Sequence, residues 1–534
     1  MSSVLSSYNF ARFGIHNAKV YPDKPYMIYR NAVENTRKEI TWKQFNDETN
    51  MVANYMQKEL GVKKGDFVLH LQMNSPEWIV TFFAILRCGA SAVPLNFRFD
   101  EDDIIYSASA CVPTVFIVDE QFLKKIQKLK NAPDSQIKHY ICIGKNVPEG
   151  MIAYDDIIKN GDTTDVLVDV AVDDLAELMF TSGTTGAPKP VYQSHDTLYQ
   201  IALGNALTFN QGHETVYYSP HPFFHSGAFF LGFPCYIAGG TIVVQLDLSP
   251  KSLMDTFSEE KVDGCLLTVP TMSDLIKAIQ TGEIKVADYD LSKFGGYMVV
   301  GAQPVPSSLF VAMKENFPFK VANIYGITEG GGGGTMLLRD EYVLAKPGSI
   351  GKPTYNTAMR IVDDNGVDVP KGEVGEILLG GPRNMKGYYN NPEMTLTTLK
   401  DGWLYTGDMV REDEEGYVFL ADRKKDLIIR GGENIFPAEI EDVLRGNPKI
   451  ADVAVIGYPH ERLVEICMAI VTLYPGETMD DKELLDFCSA QKLAKYKWPE
   501  KIAYDVVIRN ATGKIDKPKL REKYIGSSKV ITGN

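Results

Sequence analysis

The sequence has no paired cysteine pattern, no excess of positive charge and no long hydrophobic run, and each absence excludes a class of protein. Its seven cysteines are dispersed over 534 residues without CxxC or Cys/His spacing. We therefore expect buried free thiols in a reducing compartment, and neither a disulfide frame nor a zinc site. The formal net charge of −14 argues against a nucleic-acid partner, because binding to a phosphate backbone requires a basic surface.

Apolar segments are also too short to span a bilayer. No run approaches the roughly 18 uninterrupted apolar residues that a spanning helix needs. Residues 1–16 are polar and mixed and lack the order of charged, apolar and small residues that marks a signal peptide. Residues 531–534 match no targeting signal. We expect a cytoplasmic protein without a membrane span.

Strand-length apolar runs alternate with helical patterns along most of the chain, which indicates an α/β fold with helix-covered, mostly parallel sheets. Residues 67–71 predict a strand, Ser75 caps the helix that Pro76 begins, and Gly89 closes that helix in the left-handed region. The same signal recurs at Ser249. The other predicted buried strands are residues 90–95, 114–118, 140–143, 178–181, 241–244, 265–269, 297–300 and 321–325.

The last hundred residues predict a separate small α+β domain. Around residues 372–380 the pattern becomes hairpin-like, and a polar cluster at 422–426 has the composition of a linker. The elements predicted beyond it are helices at 438–444 and 482–489 and strands at 453–456 and 468–473.

Residues 180–189, FTSGTTGAPK, carry the strongest chemical signal. They follow a predicted strand and precede a helix capped near Ser194. Glycines let backbone N–H groups converge on an anion, and Lys189 adds a full positive charge, so this is a phosphate loop by its chemistry. It is not a Walker A loop, because prolines flank the lysine. For a generic loop of this composition, a surface turn is the ordinary alternative.

The complete ten-residue string resembles the signature loop of the adenylate-forming superfamily, which contains acyl-CoA synthetases, adenylation domains and luciferases. Further segments follow in the family's order and extend the resemblance over nearly the whole chain. They are GAQP at 301–304, YGITE at 325–329, WLYTGD at 403–408, DRKKD at 422–426, GGENIFPAEIE at 431–441 and NATGKI at 510–515. Gln303 departs from the commoner alanine.

The resemblance implies a nucleotide site on these segments. Tyr325 would stack on the base, Thr328 would contact the α-phosphate, and Glu329 would help to hold Mg²⁺. Asp408 would accept hydrogen bonds from the ribose, and Arg423 would reach it. The predicted set for the nucleotide and the pantetheine arm is Thr181, Ser182, Gly183, Thr184, Thr185, Gly186, Lys189, Gly301, Ala302, Gln303, Tyr325, Gly326, Ile327, Thr328, Asp408, Arg423, Lys425, Gly431, Gly432 and Glu433.

Each assignment has a plainer alternative when its residue is taken alone. Glu329 alone would be a solvated loop carboxylate, Tyr325 a core aromatic, and Asp408 a turn residue. The charged residues at 422–426 alone would be a solvated run.

The family also implies the division of labour between domains. A large AMP-binding and acyl-binding domain would cover residues 1–422 and include a β-barrel-like portion. A hinge would lie at 423–425 with Lys425 at its pivot, and a mobile domain would cover 426–534. Lys514 would enter the site during adenylation. Rotation would then withdraw it and present the 431–433 loop to pantetheine.

The implied reaction is an ATP-dependent ligation of a carboxylic acid to coenzyme A through an acyl-AMP. The difficulty is electrostatic, because a carboxylate must attack an anionic phosphorus. Lys514, the Thr184 loop and a Mg²⁺ ion on Glu329 would supply the compensating charges. No general base is needed, because carboxylic acids are ionised at neutral pH.

Residues 222–227, PFFHSG, occupy the family's acyl-pocket segment. His225 is predicted to lie between the acid and the nucleotide, although a lone histidine flanked by aromatics is more often a core residue. The segment has no aspartate to pair an ammonium group, so an α-amino acid would bury an unpaired charge.

The glycines at the predicted acyl pocket indicate the size of the acid. Gly326 stands where acetate-type relatives have a tryptophan, and residues 330–334 are all glycine. These positions would leave the pocket wall without side chains, which favours a medium-length, branched, cyclic or aromatic acid over acetate. A flexible loop is the competing interpretation of the glycine run.

Three other functions stay open on the sequence alone. A ligase that loads a carrier-protein pantetheine shares the first step. Val464 stands where the family usually has glycine, which slightly weakens the assignment of free CoA. A light-emitting oxygenase is a further relative, and a degenerate binding protein is disfavoured because Lys514 and Glu329 are both present. Either a monomer or a homodimer is compatible with the sequence.

Overall fold

A computed structural model describes residues 7–32, 34–133, 135–159, 161–181, 188–301, 305–338, 340–431, 433–510 and 514–526. The chain forms two compact units. The first unit comprises Met1–Met359 and Leu379–Leu404, and the second comprises Arg360–Leu378 and Tyr405–Asn534. The second unit therefore includes segments that precede residue 422, and the predicted domain boundary at that residue stays a prediction.

The strands are numbered in chain order. They are β1 Pro25–Asn31, β2 Thr36–Thr41, β3 Phe67–Leu71, β4 Ser91–Pro94, β5 Val115–Asp119, β6 His139–Ile143, β7 Ile152–Ala153, β8 Leu175–Thr181, β9 Lys189–Ser194, β10 Val216–Tyr218, β11 Thr241–Gln245, β12 Gly264–Thr268, β13 Tyr297–Gly301, β14 Lys320–Tyr325, β15 Thr335–Leu337, β16 Ser349–Pro353, β17 Ala358–Val362, β18 Val374–Gly380, β19 Gly387–Tyr388, β20 Leu399–Lys400, β21 Trp403–Glu412, β22 Val418–Arg423, β23 Ile428–Arg430, β24 Glu433–Ile435, β25 Ile450–His460, β26 Val464–Leu473 and β27 Lys501–Tyr504.

Two sheets build the first unit. In one, the strand order is β16-β15-β14-β13-β12-β10-β11-β1-β2, and the pairs from β14 to β1 are parallel. In the other, the order is β19-β9-β8-β4-β3-β5-β6-β7, with parallel pairs from β8 to β7. Such parallel strands are covered by helices on both faces, which is why their sequences read as uninterrupted apolar runs.

Helices of the first unit occupy the connections between these strands. They are Arg12–Val20, Trp42–Lys58, Pro76–Arg87, Glu101–Cys111, Gln127–Lys130, Tyr154–Lys159, His195–Phe209, Ser226–Phe229, Phe233–Ala238, Pro250–Glu259, Val269–Gln280, Ser307–Asn316, Asp340–Ala345 and Pro392–Thr398, with short 3₁₀ turns at Glu120–Ile126, Val286–Asp288 and Thr328–Gly330.

Capping at Ser75 confirms one sequence prediction, and Ser249 corrects another. The Ser75 side chain accepts a hydrogen bond from the Trp78 N–H at 3.1 Å where helix Pro76–Arg87 begins, and Gly89 follows with a φ of +69°. Helix Pro250–Glu259 also begins where predicted. Its Ser249 makes no side-chain cap, because the hydroxyl donates to an Asp247 carboxylate oxygen at 2.9 Å instead.

The segment after the predicted phosphate loop differs from expectation. The sequence predicts a direct passage from the loop to a helix capped near Ser194. Ser194 does cap helix His195–Phe209, but β9 lies between loop and helix and pairs antiparallel with β8. Strands β8 and β9, which flank the loop in sequence, are thus antiparallel neighbours. Strand β9 was missed because Pro190 and the polar residues around it carry no apolar run.

Strands β17, β18, β21 and β22, whose residues belong wholly or mainly to the second unit, are neighbours in that order. Their closure into a barrel stays a prediction. The C-terminal sheet has the order β24-β23-β26-β25, with β27 beside β26. Helices of this unit are Pro437–Arg445, Asp481–Ala490 and Lys517–Ile525, with 3₁₀ turns at Lys424–Asp426 and Lys495–Lys497. Ile440, Leu444, Val455 and Cys467 contribute to its buried core.

All seven cysteines are buried and free, as the sequence predicts. Burial raises the pKa of the Cys142 and Cys488 thiols to about 11, which keeps both groups protonated and inert at neutral pH. Within the described ranges, the helices are all too short or too polar to span a bilayer.

Candidate active site

The ends of β8 and β9 frame the predicted phosphate loop. Thr181 is the last residue of β8, Lys189 is the first of β9, and the two are partners in the hairpin register. The loop residues Ser182, Gly183, Thr184, Thr185 and Gly186 lie outside the described residues, as do Ala302, Gln303 and Gly432. The structure therefore describes Thr181 and Lys189, which flank the loop.

Three side chains of the first unit meet next to this loop. The Lys189 ammonium lies 5.6 Å from the centroid of the Tyr388 ring, and the Tyr388 hydroxyl donates a 2.8 Å hydrogen bond to Glu329 Oε1. Burial first, and the nearby Glu329 charge second, raise the pKa of Tyr388. The phenol therefore stays protonated and acts as a donor to the carboxylate.

Backbone pairing brings Tyr388 to this position. Strand β19 pairs with β9 so that Tyr388 faces Val191, and the Met385 N–H donates to the Glu329 carbonyl at 2.7 Å. Sequence analysis missed Tyr388. The only available signal was a Gly-Tyr-Tyr triplet at 387–389, whose neighbours in the fold lie about two hundred positions earlier in the chain.

Thr328 is held from two sides. Its carbonyl accepts a hydrogen bond from Gln193 Nε2 at 3.0 Å, and its hydroxyl lies 3.2 Å from the Ser226 hydroxyl. Thr328 and Glu329 begin a 3₁₀ turn that Gly326 and Ile327 connect to the end of β14. The predicted phosphate contact and the predicted metal ligand are thus positioned by the same backbone.

The end of β13 places Gly301 against β14, on which Tyr325 is the buried last residue. A Cβ atom on Gly301 would lie 2.7 Å from the Ile324 carbonyl oxygen, so the approach of the two backbones requires glycine. Gly326 and Ile327 follow Tyr325 immediately. The predicted adenine-side residues that the structure describes are therefore neighbours on two adjacent strands.

His225 caps a short helix. Its Nδ1 accepts a hydrogen bond from the Gly227 N–H at 3.2 Å at the start of helix Ser226–Phe229. An imidazole that accepts at Nδ1 carries its proton on Nε2 when neutral. The contact of His225 with an acid stays a prediction.

The glycine run is packed, which corrects the reason given for a roomy acyl pocket. A Cβ atom on Gly326 would lie 2.6 Å from backbone atoms of Gly332 and Gly333. On Gly331 it would lie 2.6 Å from an Ile201 carbon, and on Gly334 2.9 Å from a Leu379 carbon. The missing side chains therefore leave no open wall at these positions, and the flexible-loop interpretation stays a prediction.

In the second unit, Asp408 and Arg423 form an ion pair. Arg423 Nε lies 2.6 Å from Asp408 Oδ1, and the two residues are partners between β21 and β22. The aspartate side chain is 4% exposed and the arginine side chain 43% exposed. The two residues that the family implies at the ribose are thus brought together, with the arginine on the accessible side.

The predicted hinge is tied down by charged pairs within the second unit. Lys424 Nζ lies 2.8 Å from Asp364 and 3.1 Å from Glu376, and Asp426 accepts a hydrogen bond from Arg521 at 2.8 Å. Lys425 lies in the same short turn. Because Asp426 is buried, the alternative of a fully solvated charge run is wrong here.

The loop predicted to face pantetheine turns between β23 and β24. Gly431 has a φ of +59°, and its N–H donates to the Leu463 carbonyl at 2.7 Å. Glu433 begins β24. Val464 lies beside this turn with a φ of +68°, a conformation that a β-branched residue adopts only under strain. The family's usual glycine would fit this backbone without that cost.

Lys514 belongs to the second unit. Its N–H donates to the Asn510 side-chain oxygen at 3.1 Å, and its side chain is exposed. Glu329 belongs to the first unit. The convergence of these two residues on one phosphorus stays a prediction.

Comparison with known proteins identifies the family. A model described as "AMP-binding enzyme" matches residues 15–389, and one described as "AMP-binding enzyme C-terminal domain" matches residues 439–514. The chain belongs to the AMP-binding enzyme family. As the family resemblance predicted, it is an acid–thiol ligase of the adenylate-forming superfamily.

Two curated members of the AMP-binding enzyme family are each 32% identical to this chain. One is the long-chain-fatty-acid–CoA ligase FadD13 of Mycobacterium tuberculosis, matched over 488 residues that cover 91% of this chain and 93% of the relative. The other is a feruloyl-CoA synthase of an Amycolatopsis species, matched over 503 residues, or 93% of this chain and 96% of the relative.

A solved structure of an AMP-binding enzyme has the same fold. The o-succinylbenzoate CoA synthetase MenE of Bacillus subtilis, in complex with the acyl-adenylate intermediate OSB-AMP, superposes with a TM-score of 0.84 at 27% identity. The match covers 95% of this chain and 97% of that one. The predicted α/β fold with a large N-terminal and a small C-terminal domain is thereby confirmed.

Proposed function

We propose that this AMP-binding enzyme is an ATP-dependent carboxylic acid–CoA ligase that works through an acyl-AMP. The carboxylate oxygen bonds to the α-phosphorus of ATP as pyrophosphate leaves. The CoA thiol then bonds to the acyl carbon as AMP leaves. The observation that supports this most is the meeting of Lys189, Tyr388 and Glu329 beside the adjacent ends of β8 and β9.

The first-unit residues serve the adenylation step. The described Lys189 and the predicted Thr184 loop would bind the β- and γ-phosphates, and Thr328 would donate to the α-phosphate. Because Gln193 and Ser226 already fix Thr328, its hydroxyl needs little reorganisation when charge develops there. Tyr325 would stack on the adenine.

Glu329 suits a magnesium ion that is shared with substrate phosphates. Among the residues that the structure describes, no group of three or more His, Cys, Asp or Glu side chains could hold a metal. Mg²⁺ commonly takes one or two carboxylates, with phosphate oxygens and water for the rest. Glu329, oriented by the Tyr388 hydroxyl, would hold the ion, which would supply charge neutralisation when bound.

The second-unit residues would serve the ribose and the change between half-reactions. Asp408 would accept from the ribose hydroxyls while Arg423 holds it in place. We propose that residues 423–425 form the hinge between a 1–422 and a 426–534 domain, with Lys425 at the pivot. Lys514 would stabilise the adenylation transition state, and the 431–433 turn would face the pantetheine arm after rotation.

We propose a medium-length, branched, cyclic or aromatic acid as substrate. With the glycine argument corrected, support comes from relatives whose names specify fatty acids, ferulate and o-succinylbenzoate. His225 would lie between the acid and the nucleotide. Buried free cysteines support a reducing, cytoplasmic location.

A carrier-protein pantetheine is the second candidate acceptor. Val464 replaces a family glycine directly beside the Gly431 turn, where the arm of the acceptor would pass. A carrier-protein acceptor would require a different surface beside the Gly431 turn, whereas the residues of the adenylation step would be unchanged.

Pyrophosphate release tests the proposal. Purified protein is incubated with ATP, Mg²⁺ and a panel of fatty, cyclic and aromatic acids, with and without CoA, and both pyrophosphate and thioester are measured. We expect acid-dependent release, with multiple turnover and thioester formation only when CoA is present. Release without thioester would favour the carrier-protein alternative, and no release with any acid would contradict the proposal.

Lys514→Ala provides the variant and Lys519→Ala its matched control. Lys519 is an exposed lysine five residues on, whose Nζ lies 3.6 Å from Asp516. We expect at least about a hundredfold slower adenylation in the first variant, since the lost charge acts on the transition state, and little change in the second. Equal rates in the two variants would remove Lys514 from the mechanism.

A further inference from the structure

Glu177 of β8 and Gln193 of β9 form a polar pair in the interior of the first unit. Both side chains are completely buried, and the two residues are partners in the antiparallel register. The side chains of such partners lie on the same face of the sheet, with Cβ atoms about 5 Å apart. Two side chains of this length can therefore reach each other.

The pair contains three acceptor oxygens and lacks a donor for them. Gln193 Nε2 donates to the Thr328 carbonyl at 3.0 Å, and because a carbonyl can only accept, the amide must turn its Oε1 away from Thr328. Within the described residues, neither Gln193 Oε1 nor either carboxyl oxygen of Glu177 has a hydrogen-bond partner. Buried polar groups are ordinarily satisfied, because an unmade hydrogen bond in the interior is unfavourable. One proton on Glu177 would supply the missing donor.

Burial favours the proton on Glu177. It raises the pKa of Glu177 to about 8, and no charged group contributes to the shift. Strand β4 carries no titratable residue, and those on the other neighbouring elements are Lys189 and Tyr192 on β9, His195, Asp196 and Tyr199 on the helix that follows, Glu329 beside Thr328, and His70 on β3. Burial lowers the pKa of His70 and of His195 to about 3, so both are neutral. Glu177 is therefore protonated at neutral pH.

Thr328, the predicted contact of the α-phosphate, connects this pair to the reaction. Its carbonyl is held by Gln193, and its hydroxyl lies 3.2 Å from the Ser226 hydroxyl. An ionised Glu177 would set a negative charge against Gln193 Oε1. The amide would relieve this repulsion by turning Nε2 toward the carboxylate, because a charged acceptor binds a donor more strongly than a carbonyl does. That turn would release the Thr328 carbonyl.

We propose that Glu177 is a positioning residue for the adenylation step: its protonated carboxyl group donates to Gln193 Oε1 and fixes the amide orientation that holds Thr328. This inference rests on the proposed ligase function and adds a residue to that same site. Adenylation is fast while the proton is in place and slow once Glu177 ionises. Because Glu177 acts through Gln193, it needs no contact with the substrate.

The pH profile of adenylation tests the proposal. Acid-dependent exchange of labelled pyrophosphate into ATP is measured without CoA from about pH 6.5 to about pH 9.5, with the best acid of the panel. In the unchanged enzyme, we expect kcat to fall about tenfold as the pH rises through the pKa of Glu177, which is the effect of losing one buried hydrogen bond beside the reacting phosphorus. The KM for ATP should change little, because other residues would bind the base, the ribose and the outer phosphates.

Substitutions in the pair assign that pH dependence to Glu177. Glu177→Gln keeps a neutral donor at this position, so its kcat should stay at the high value over the whole range. Glu177→Leu has no donor, so its kcat should be about tenfold lower at every pH, without the alkaline fall. Gln193→Leu should behave in the same way. The double variant should be no slower than either single variant, because both residues act through one chain of contacts.

Asp119→Asn is the matched control, because Asp119 is another buried carboxyl group of the same sheet. Its pKa is raised to about 7, first of all by burial, but its Oδ2 accepts a hydrogen bond from the Met73 N–H at 2.7 Å. This variant should keep the alkaline fall of the unchanged enzyme. Circular dichroism at each pH confirms that all the proteins remain folded.

Three results would overturn the proposal while pyrophosphate exchange itself persists. One is a kcat of the unchanged enzyme that does not fall above the pKa of Glu177. Another is an alkaline fall of the same size in Glu177→Gln, and the third is additive losses in the double variant, which would make the two residues independent supports of the fold. Exchange with no acid at all would contradict the proposed function, and this inference with it.

Discussion

The two units hold their functional groups by different means. The first unit relies on close backbone packing and on hydrogen bonds between neutral groups and Glu329, as at Gly326 and Tyr388. The second relies on ion pairs, as between Asp408 and Arg423, and it tolerates a strained valine at 464. Packing positions atoms to within tenths of an ångström, whereas in the ion pair a buried aspartate is matched by an arginine that is partly open to solvent. The first unit therefore fixes its candidate groups by close packing, and the second fixes its own by opposite charges.

The largest effect should come from Gly326→Ala. The new Cβ would meet the Gly332 and Gly333 backbone at 2.6 Å, and backbone cannot give way as a side-chain tip can. We expect a loss of about 3 kcal/mol or more in the free energy of unfolding, with adenylation falling alongside it. Denaturant unfolding and pyrophosphate release measure the two.

Gly212→Ala is the matched control for that substitution. Its Cβ would meet nothing within 4 Å and its φ is not in the left-handed region, so we expect a change within about 0.5 kcal/mol. Equal behaviour of the two variants would show that the first unit is not held by packing at the glycine run.

Glu177→Gln should give the next largest effect and a distinctive pH dependence. Burial raises the pKa of Glu177 to about 8, and neither of its carboxylate oxygens has a hydrogen-bond partner within the described residues. The folded state therefore binds a proton that the unfolded state loses, and the free energy of unfolding must fall as pH rises from about 4.5 to about 8.

The Glu177→Gln variant should lose this fall in the free energy of unfolding with pH. It should be more stable than the unchanged protein at pH 8 by about 2 to 4 kcal/mol. Unfolding measured at pH 5 and pH 8 in both proteins checks this. Glu441 of the second unit, a buried glutamate whose Oε1 lies 3.0 Å from Lys517, provides the contrast. Glu441→Gln should destabilise at both pH values, because it leaves a buried lysine without its partner. If the free energy of unfolding of Glu177→Gln still falls between pH 5 and pH 8, Glu177 is not the source of the pH dependence.

Tyr388→Phe tests the contribution of the hydrogen bond that the neutral Tyr388 hydroxyl donates to Glu329. Without the hydroxyl, the carboxylate loses a donor in a half-buried setting, which costs about 1 to 3 kcal/mol. We expect pyrophosphate release to slow by about tenfold or more, with a higher Mg²⁺ requirement. Tyr389→Phe, in which the neighbouring tyrosine loses its hydroxyl, should have little effect. If Tyr388→Phe needs no more Mg²⁺ than the unchanged enzyme, the proposal that Glu329 holds the metal is contradicted.

Val464→Gly should give the smallest effect and one of opposite sign. Relief of the left-handed strain favours the folded state by about 1 to 2 kcal/mol, and the greater chain entropy of glycine offsets about half of this. We expect a net stabilisation of about 0.5 to 1 kcal/mol in thermal or denaturant unfolding. Val506→Gly, at an exposed valine without a positive φ, should destabilise instead.

Much of the fold could be predicted from local sequence. The helix after Ser75 and most buried strands follow from capping residues and apolar runs, since each depends on residues a few positions apart. Strand β9 could not be predicted in this way, because it is defined by its pairing with β8 and β19.

The site residues that family motifs indicate stay predictions, and Tyr388 was missed because tertiary contacts bring it to Glu329. Tyr388 lies in no predicted motif, and its hydroxyl donates to Glu329, 59 positions away. The open pocket wall predicted at Gly326 is wrong. The missing side chain of Gly326 makes room for backbone, which only the coordinates of residues 332–333 could reveal.

Strand β19 has a practical consequence for dividing the molecule. It contributes Tyr388 to the Glu329 site and covers one side of β9, yet it follows a stretch of chain that belongs to the second unit. A shortened protein that stops at Met359 would expose the hydrogen-bonding groups of β9 as a free edge, a known route to aggregation. A fragment meant to bind nucleotide on its own must retain residues 379–404, either at its natural end or rejoined by a linker.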